Sequence, residues 1–170
     1  MHRNSGSAGE SHYFLGRRYR LRVIKRDAAA SVTLRNKSTL ELHVRPASTA
    51  RQRNRILHQW YRQQLKALIP PLIEKWQTAL GVTVAEWGVK RMKTRWGTCN
   101  IEAQRIWLNL ELAKKPVQCL EYIVAHEIVH LIERHHNERF VFILEKHLPH
   151  WRQNRQELNS APLANETWSY

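Results

Sequence analysis

Apolar and polar side chains alternate with a period of two over the first part of the chain, which is typical of β-strands. The alternation runs through residues 13–24 around Gly16, with arginines between the apolar positions. It returns in residues 31–34 and 40–44, on either side of a polar turn. Two β-hairpins that form a small antiparallel sheet with a basic outer face are therefore predicted over residues 11–45.

The period changes to that of a helix after this region. Thr49 followed by Gln52 resembles a capping box, which marks the start of a helix. Apolar side chains then recur every three or four residues. Residues 49–80 are therefore predicted to be helical. More than one helix is expected, because Pro70 and Pro71 should kink or restart the helix.

The remaining pattern mixes strands and helices. Residues 82–98 are predicted as a strand, residues 97–100 as the turn that follows, and residues 105–110 as the returning strand. Asn137 is a predicted N-cap of a later helix, and residues 151–158 are a predicted closing helix.

The fold class that this order predicts is α+β, with an antiparallel sheet packed on one buried helix and additional helices around it. A chain of 170 residues suits one domain with a real core. We place that domain at residues 11–158, with residues 82–158 as its central part, a disordered N-terminus at 1–10 and a tail at 159–170.

Two histidines four residues apart define the candidate chemistry. Residues 126–130 read His-Glu-Ile-Val-His, and side chains at that spacing share one helical face, so His126 and His130 can bind one tetrahedral zinc ion. Glu127 lies about 100° around the helix, where it can reach a metal-bound water. The flanking residues are apolar nearly all round, and polar groups in a buried helix are costly unless bound or paired. This setting favours a zinc site over a chance match.

A catalytic zinc ion usually has three protein ligands, so one more must come from outside this motif. In an unbroken helix His136 would lie about 9 Å beyond His130 along the axis. The helix is therefore expected to end near residues 133–135 and the chain to turn back, which makes His136 the preferred third ligand. The alternatives are His135, Glu138, Glu145 and Glu157.

A zinc ion held by three ligands beside Glu127 predicts hydrolysis as the reaction. Zinc lowers the pKa of a bound water towards 7, and Glu127 can accept its proton during attack on a carbonyl or phosphoryl group. Tyr122, Arg95 and His150 are candidate donors to the developing oxyanion, and the sequence does not rank them.

The charge is unevenly distributed. Lys and Arg total 28 against 14 Asp and Glu, and residues 1–66 hold 15 basic and 3 acidic side chains. Such a basic half suggests nucleic acid or another polyanion as a partner, with a solvated basic surface as the equal alternative. Asp27 is the only aspartate, which disfavours two-metal nuclease chemistry.

Other features of the sequence indicate the cellular compartment of the protein. Cys99 and Cys119 form no CxxC pair, and the sequence has no signal-peptide or membrane-spanning pattern. A reduced, cytoplasmic protein without a membrane partner is therefore expected.

Several motifs together resemble the YgjP-like metallopeptidase domain family, which is similar to the SprT-like and WLM proteases. The matching segments are residues 13–19, 95–99, 106–109, Pro116, 122–131 and 136–140. The resemblance implies a cytoplasmic zincin-like minimal fold, with zinc bound by His126, His130 and His136 and with Glu127 catalytic. Thr98 stands where the family usually has Ser, and Arg134-His135 stand where a single Asn is typical.

The segment 95–99 suggests how a substrate would bind. An edge strand beside the metal can pair with an extended peptide, which would make Trp96 and Thr98 walls of the cleft. The alternative for Trp96 and Cys99 is core packing. Arg95, Trp96, Thr98 and Tyr122 are the candidate substrate-binding residues.

Three functions are compatible with this sequence. The first is a zinc metallopeptidase acting on a peptide or protein. The second is a zinc-dependent nucleotide phosphohydrolase, an activity given to some members of the family, for which four arginines (Arg17, Arg18, Arg20 and Arg22) could hold phosphates. The third is a nucleic-acid-binding module with structural zinc, which the shortage of Cys ligands disfavours.

Overall fold

Two hairpins open the fold, as the sequence predicts. The computed structural model describes residues 9–160. Strands β1 (Ser11–Phe14) and β2 (Arg17–Lys25) pair antiparallel, and so do β3 (Ser31–Leu34) and β4 (Thr39–Val44).

The sheet they form is mixed rather than wholly antiparallel. Its order is β1-β2-β4-β3, and β2 runs parallel to β4. This pairing sets Leu21 beside Leu40 and brings Leu42 next to Val23, so a single apolar face is buried. The arginines between the apolar positions of β2 are exposed, as predicted.

A single helix, α1 (Ala50–Leu80), follows the first sheet, although a kink or restart was expected at Pro70 and Pro71. Thr49 and Gln52 form the capping box with both hydrogen bonds in place, and Gly81 ends the helix with a φ of 67°. Pro70 and Pro71 lie inside the helix and are exposed. The buried apolar stripe continues in register on both sides of them, and its packing holds the helix together.

The second sheet differs most from the prediction. Its strands β5 (Glu86–Lys90), β6 (Gly97–Asn100) and β7 (Arg105–Asn109) lie in the order β5-β7-β6. The predicted strand 82–98 is thus wrong over much of its length, because residues 91–96 form a loop. The predicted turn 97–100 is strand β6, which pairs antiparallel with β7.

Asn109 explains why the loop leaves the sheet. Its amide donates hydrogen bonds to the carbonyls of Met92 (3.0 Å) and Arg95 (2.8 Å). Its side-chain oxygen also caps a 3₁₀-helix (Leu110–Lys114) that the sequence did not predict. A completely buried asparagine therefore fixes both the loop and the turn into the next helix.

Helix α2 (Val117–Val129) is the centre of the core and begins directly after Pro116. It contacts α1, both β6 and β7, and the two last helices, α3 (Glu138–His147) and α4 (Trp151–Leu158). Asn137 caps α3 by accepting a hydrogen bond from the Phe140 amide, which confirms that prediction.

The chain ends assigned to disorder lie mainly outside the described residues. Those that are described are tied down: the Gly9 amide donates to the Leu21 carbonyl, and Lys115 donates to the Ser160 carbonyl. Among residues 9–160, no helix combines the length and the apolar character that crossing a membrane requires. The α+β fold class is confirmed.

Candidate metal centre

Three histidines converge where α2 ends. Helix α2 stops at Val129, a few residues before the predicted break, and His130 is its C-cap residue. The chain then turns and brings His136 back, so that one ring nitrogen from each of His126, His130 and His136 lies within 4.8 Å of the others. The Nε2 atoms of His130 and His136 are 2.9 Å apart. The structure thus assembles the set that the spacing predicted.

The chemistry of these nitrogens fits a metal ion. Nδ1 of His130 is 3.1 Å from the Glu133 carbonyl oxygen, to which it can donate its hydrogen, and this leaves the Nε2 lone pair facing His136. Burial lowers the pKa of His130, and burial together with the other two histidines lowers the pKa of His136. The neutral rings that result are the form that binds zinc, and three nitrogen donors with an open fourth position match a catalytic site.

Glu127 is the buried acid of the centre. Its side chain is only 3% exposed, and Oε1 lies 3.5 Å from Nδ1 of His126. Its other oxygen, Oε2, accepts no hydrogen bond from any residue between 9 and 160. A buried carboxylate oxygen in this state is costly unless a proton donor such as water or substrate occupies the site.

Strand β6 lies directly against this glutamate. A Cβ atom placed on Gly97 would come within 3.0 Å of both Cγ of Glu127 and Cγ2 of Ile123. A side chain at this position would force Glu127 or the strand to move by a few tenths of an ångström.

An open cleft of about 750 Å³ runs between β6 and the histidines. One side of β6 has no strand partner among the described residues, because β6 is at the edge of its sheet. The lining comprises Thr94, Arg95, Gly97, Thr98, Cys99, Asn100, Ile101, Glu102, His126, Glu127, His130, Arg134 and His136. A substrate in this cleft would contact both the strand edge and the three histidines.

The four candidate substrate-binding residues lie in two different environments. Arg95 and Thr98 line the cleft, whereas Trp96 is completely buried and its indole lies 3.3 Å from Oδ1 of Asn159. Tyr122 is 1% exposed and stacks on Trp151. Trp96 and Tyr122 therefore pack in the core and are absent from the cleft lining, unlike the other two candidates.

The residues that competed with His136 as third ligand lie outside the centre. The cluster of possible metal ligands in the described chain contains none of them, and His150, a candidate oxyanion donor, does not line the cleft. Glu145 pairs instead with Arg152, and Glu157 accepts a hydrogen bond from Gln118. The arginines of β2 are likewise absent from the cleft lining.

Sequence reasoning missed part of the lining. Residues 100–102 were missed because residues 97–100 are predicted as a turn, whereas nothing local in the sequence places Arg134 at the cleft. Cys99 also lines the cleft, but burial and the neighbouring Glu127 raise the pKa of its thiol to about 12. The thiol is thus protonated and is no candidate nucleophile.

An α+β fold with three converging histidines and a buried glutamate is the arrangement of a metal-dependent hydrolase. The fold is shared with a solved structure, the metallopeptidase zymogen abylysin of Pyrococcus abyssi, at 19% sequence identity and a TM-score of 0.51. The similarity covers 56% of this chain and 95% of that one.

The family follows from the sequence comparison. A model of the YgjP-like metallopeptidase domain matches residues 1–161, and the chain belongs to that family. No curated protein matches the sequence. Membership implies a metal ion and peptide or protein substrates.

Proposed function

We propose that this chain is a zinc-dependent peptidase in which His126, His130 and His136 hold the ion and Glu127 is the general base. The observation that carries the proposal is the unsatisfied Oε2 of Glu127, buried beside the three histidines in an open cleft. When bound, zinc supplies a Lewis acid that polarises the scissile carbonyl and acidifies water.

Glu127 is suited to move the proton. Its free oxygen can accept a hydrogen from the attacking water and hold it within the cleft. The same oxygen can then give that proton to the leaving amine nitrogen. Gly97 brings strand β6 close to Cγ of Glu127, which limits the movement of the carboxylate during both transfers.

The cleft favours an extended substrate with negative charge. The edge of β6 that has no strand partner among residues 9–160 can pair with a peptide backbone. Arg95 and Arg134 are exposed at the cleft and have no carboxylate within 4.0 Å among the described residues. Acidic side chains near the scissile bond would satisfy them, and Arg95 is the remaining candidate for oxyanion stabilisation.

The alternative functions have less support. The phosphate-binding arginines that a nucleotide phosphohydrolase was expected to use lie on β2, outside the cleft. A structural zinc site would have four closed ligands, whereas this centre offers three histidines and a buried carboxylate.

Glu127→Gln tests the proposal, because the amide keeps the shape of the side chain but cannot accept the proton. We expect the variant to bind zinc like wild type and to lose at least about a hundredfold in cleavage of an unfolded protein. Glu121→Gln, on the same helix but paired with Lys75, is the matched control and should stay active. Peptidase activity that survives in Glu127→Gln, or turnover of nucleoside triphosphates in place of unfolded protein, would contradict the proposal.

A further inference from the structure

A row of basic and polar side chains runs along one face of α1. It comprises Arg51, Arg55, His58, Arg62 and Lys66, and we call it the α1 stripe. The spacing of three or four residues places them on one side of the helix over about 22 Å. Four of the five line one open cavity, and Arg62 and Lys66 line the next.

The second cavity has an aromatic floor. It is lined by Trp87, Gly88, Val89 and Trp107 beside the two α1 cations. A Cβ atom on Gly88 would come within 2.3 Å of Cζ3 of Trp107, so only glycine lets this indole lie across the neighbouring strand. Nζ of Lys90 is 4.6 Å from the ring centroid, a cation–π contact.

This surface is separate from the metal centre. The register pairs Gly88 with Trp107, and it pairs Gly97 with the next residue, Leu108. Because adjacent residues of a strand face opposite ways, Trp107 lies on the sheet face opposite Gly97 and Glu127. Thr98, the register partner of Trp107, does line the cleft, but the cleft and the two α1 cavities share no lining residue, so the peptidase proposal gives these cavities no role.

The stripe is electrostatically unsatisfied. In the part of the chain that the structure describes, Arg51, Arg55 and Lys66 lie in no ion pair. The carboxylate of the nearby Glu111 is already paired with Lys114 (2.6 Å).

The field at the middle of the stripe is positive. The pKa of His58 is lowered first by burial and then by Arg91, Lys114 and Arg62, against an opposing effect of Glu111. An anion would therefore be attracted to the stripe.

We propose that the α1 stripe and Trp107 bind a single-stranded nucleic acid, with phosphates along the stripe and one base stacked on the indole. Basic grooves that contain aromatic side chains bind single strands in this way. A duplex hides its base faces, and an acidic peptide would use the cations but offers no base to stack on Trp107.

Fluorescence anisotropy of a labelled twenty-nucleotide oligothymidylate with the full chain tests the proposal. We expect the double variant Arg51→Glu, Arg55→Glu to bind at least about tenfold more weakly. Its slope of log affinity against log salt should fall by about 1.4, because each lost phosphate contact of a single strand contributes about 0.7.

The matched control is Arg17→Glu, Arg20→Glu, which makes the same charge change on exposed residues of β2. Its affinity should stay much closer to wild type. Equal loss in both double variants would show attraction to net charge alone and would overturn the proposal, as would undetectable binding by wild type at physiological salt.

Trp107 is tested in two ways. Trp107→Leu should weaken binding about tenfold, a typical loss for one stacked base. Because the indole covers Gly88 and its removal can disturb folding, photocrosslinking of wild type to an oligonucleotide that carries 5-iodouracil gives a second readout, and the crosslink should map to Trp107. A crosslink elsewhere, together with equally effective competition by polyglutamate, would show an acidic-protein surface instead. Glu127→Gln should bind the oligonucleotide like wild type, so a failure of the nucleic-acid proposal can be distinguished from a failure of the peptidase proposal.

Discussion

Gly97→Ala is expected to impair turnover without removing the metal. The added methyl carbon would lie 3.0 Å from Cγ of Glu127, whereas ordinary contacts begin at 3.4 Å. Relief of this overlap requires a shift of about 0.4 Å in Glu127 or in β6. If a 1 Å misplacement costs about a hundredfold in rate, a shift of this size costs roughly sixfold. Overpacking should also destabilise the fold by about 1–3 kcal/mol.

The assay combines zinc content, cleavage rate of an unfolded protein and denaturant unfolding. Gly81→Ala is the control, since its φ of 67° makes alanine destabilising while nothing lies within 4 Å of the new carbon. It should lose stability and keep its cleavage rate. Full activity of Gly97→Ala would refute the reasoning, because Glu127 would then not depend on the close approach of β6.

Three further predictions concern the histidines, Asn109 and Cys99. Burial lowers the pKa values of His130 and His136 below the ordinary 6.5, so both rings stay neutral as the pH falls towards that value. Zinc affinity should therefore hold down to about pH 6.5 and fall only below it. A zinc titration in which affinity already declines between pH 8 and pH 7 would contradict this. Asn109→Ala removes three hydrogen bonds of a completely buried side chain and should cost about 3 kcal/mol in denaturant unfolding. A loss under about 1 kcal/mol would be the contrary result. Alkylation of Cys99 by iodoacetamide at pH 8 should be far slower in the folded chain than in denaturant, because its pKa is raised to about 12, and equal rates would show an accessible thiolate.

Local signals allowed much of the candidate metal centre to be predicted. The spacing of His126 and His130 fixes their common face, and Asn137 marks the start of the next helix. The need for a helix break followed from the geometry of His136 alone. These features depend on residues within about ten positions of one another, so the sequence displays them directly.

Non-local contacts explain what could not be predicted. The alternating residues 89–96 resemble a continuous strand, but Asn109 binds the carbonyls of Met92 and Arg95 and draws the chain into a loop. Gly97 looks like a turn residue, yet its role is to let β6 approach Glu127. The parallel pairing of β2 with β4 likewise depends on a crossover that neither hairpin specifies.

The proposed zinc ligands can be tested most directly by measuring metal in purified variants. Zinc per chain should be unchanged in His135→Ala, an adjacent exposed histidine outside the cluster, and largely lost in His136→Ala together with cleavage of unfolded protein. An unchanged zinc content in His136→Ala, or its loss in His135→Ala instead, would contradict the three-histidine centre.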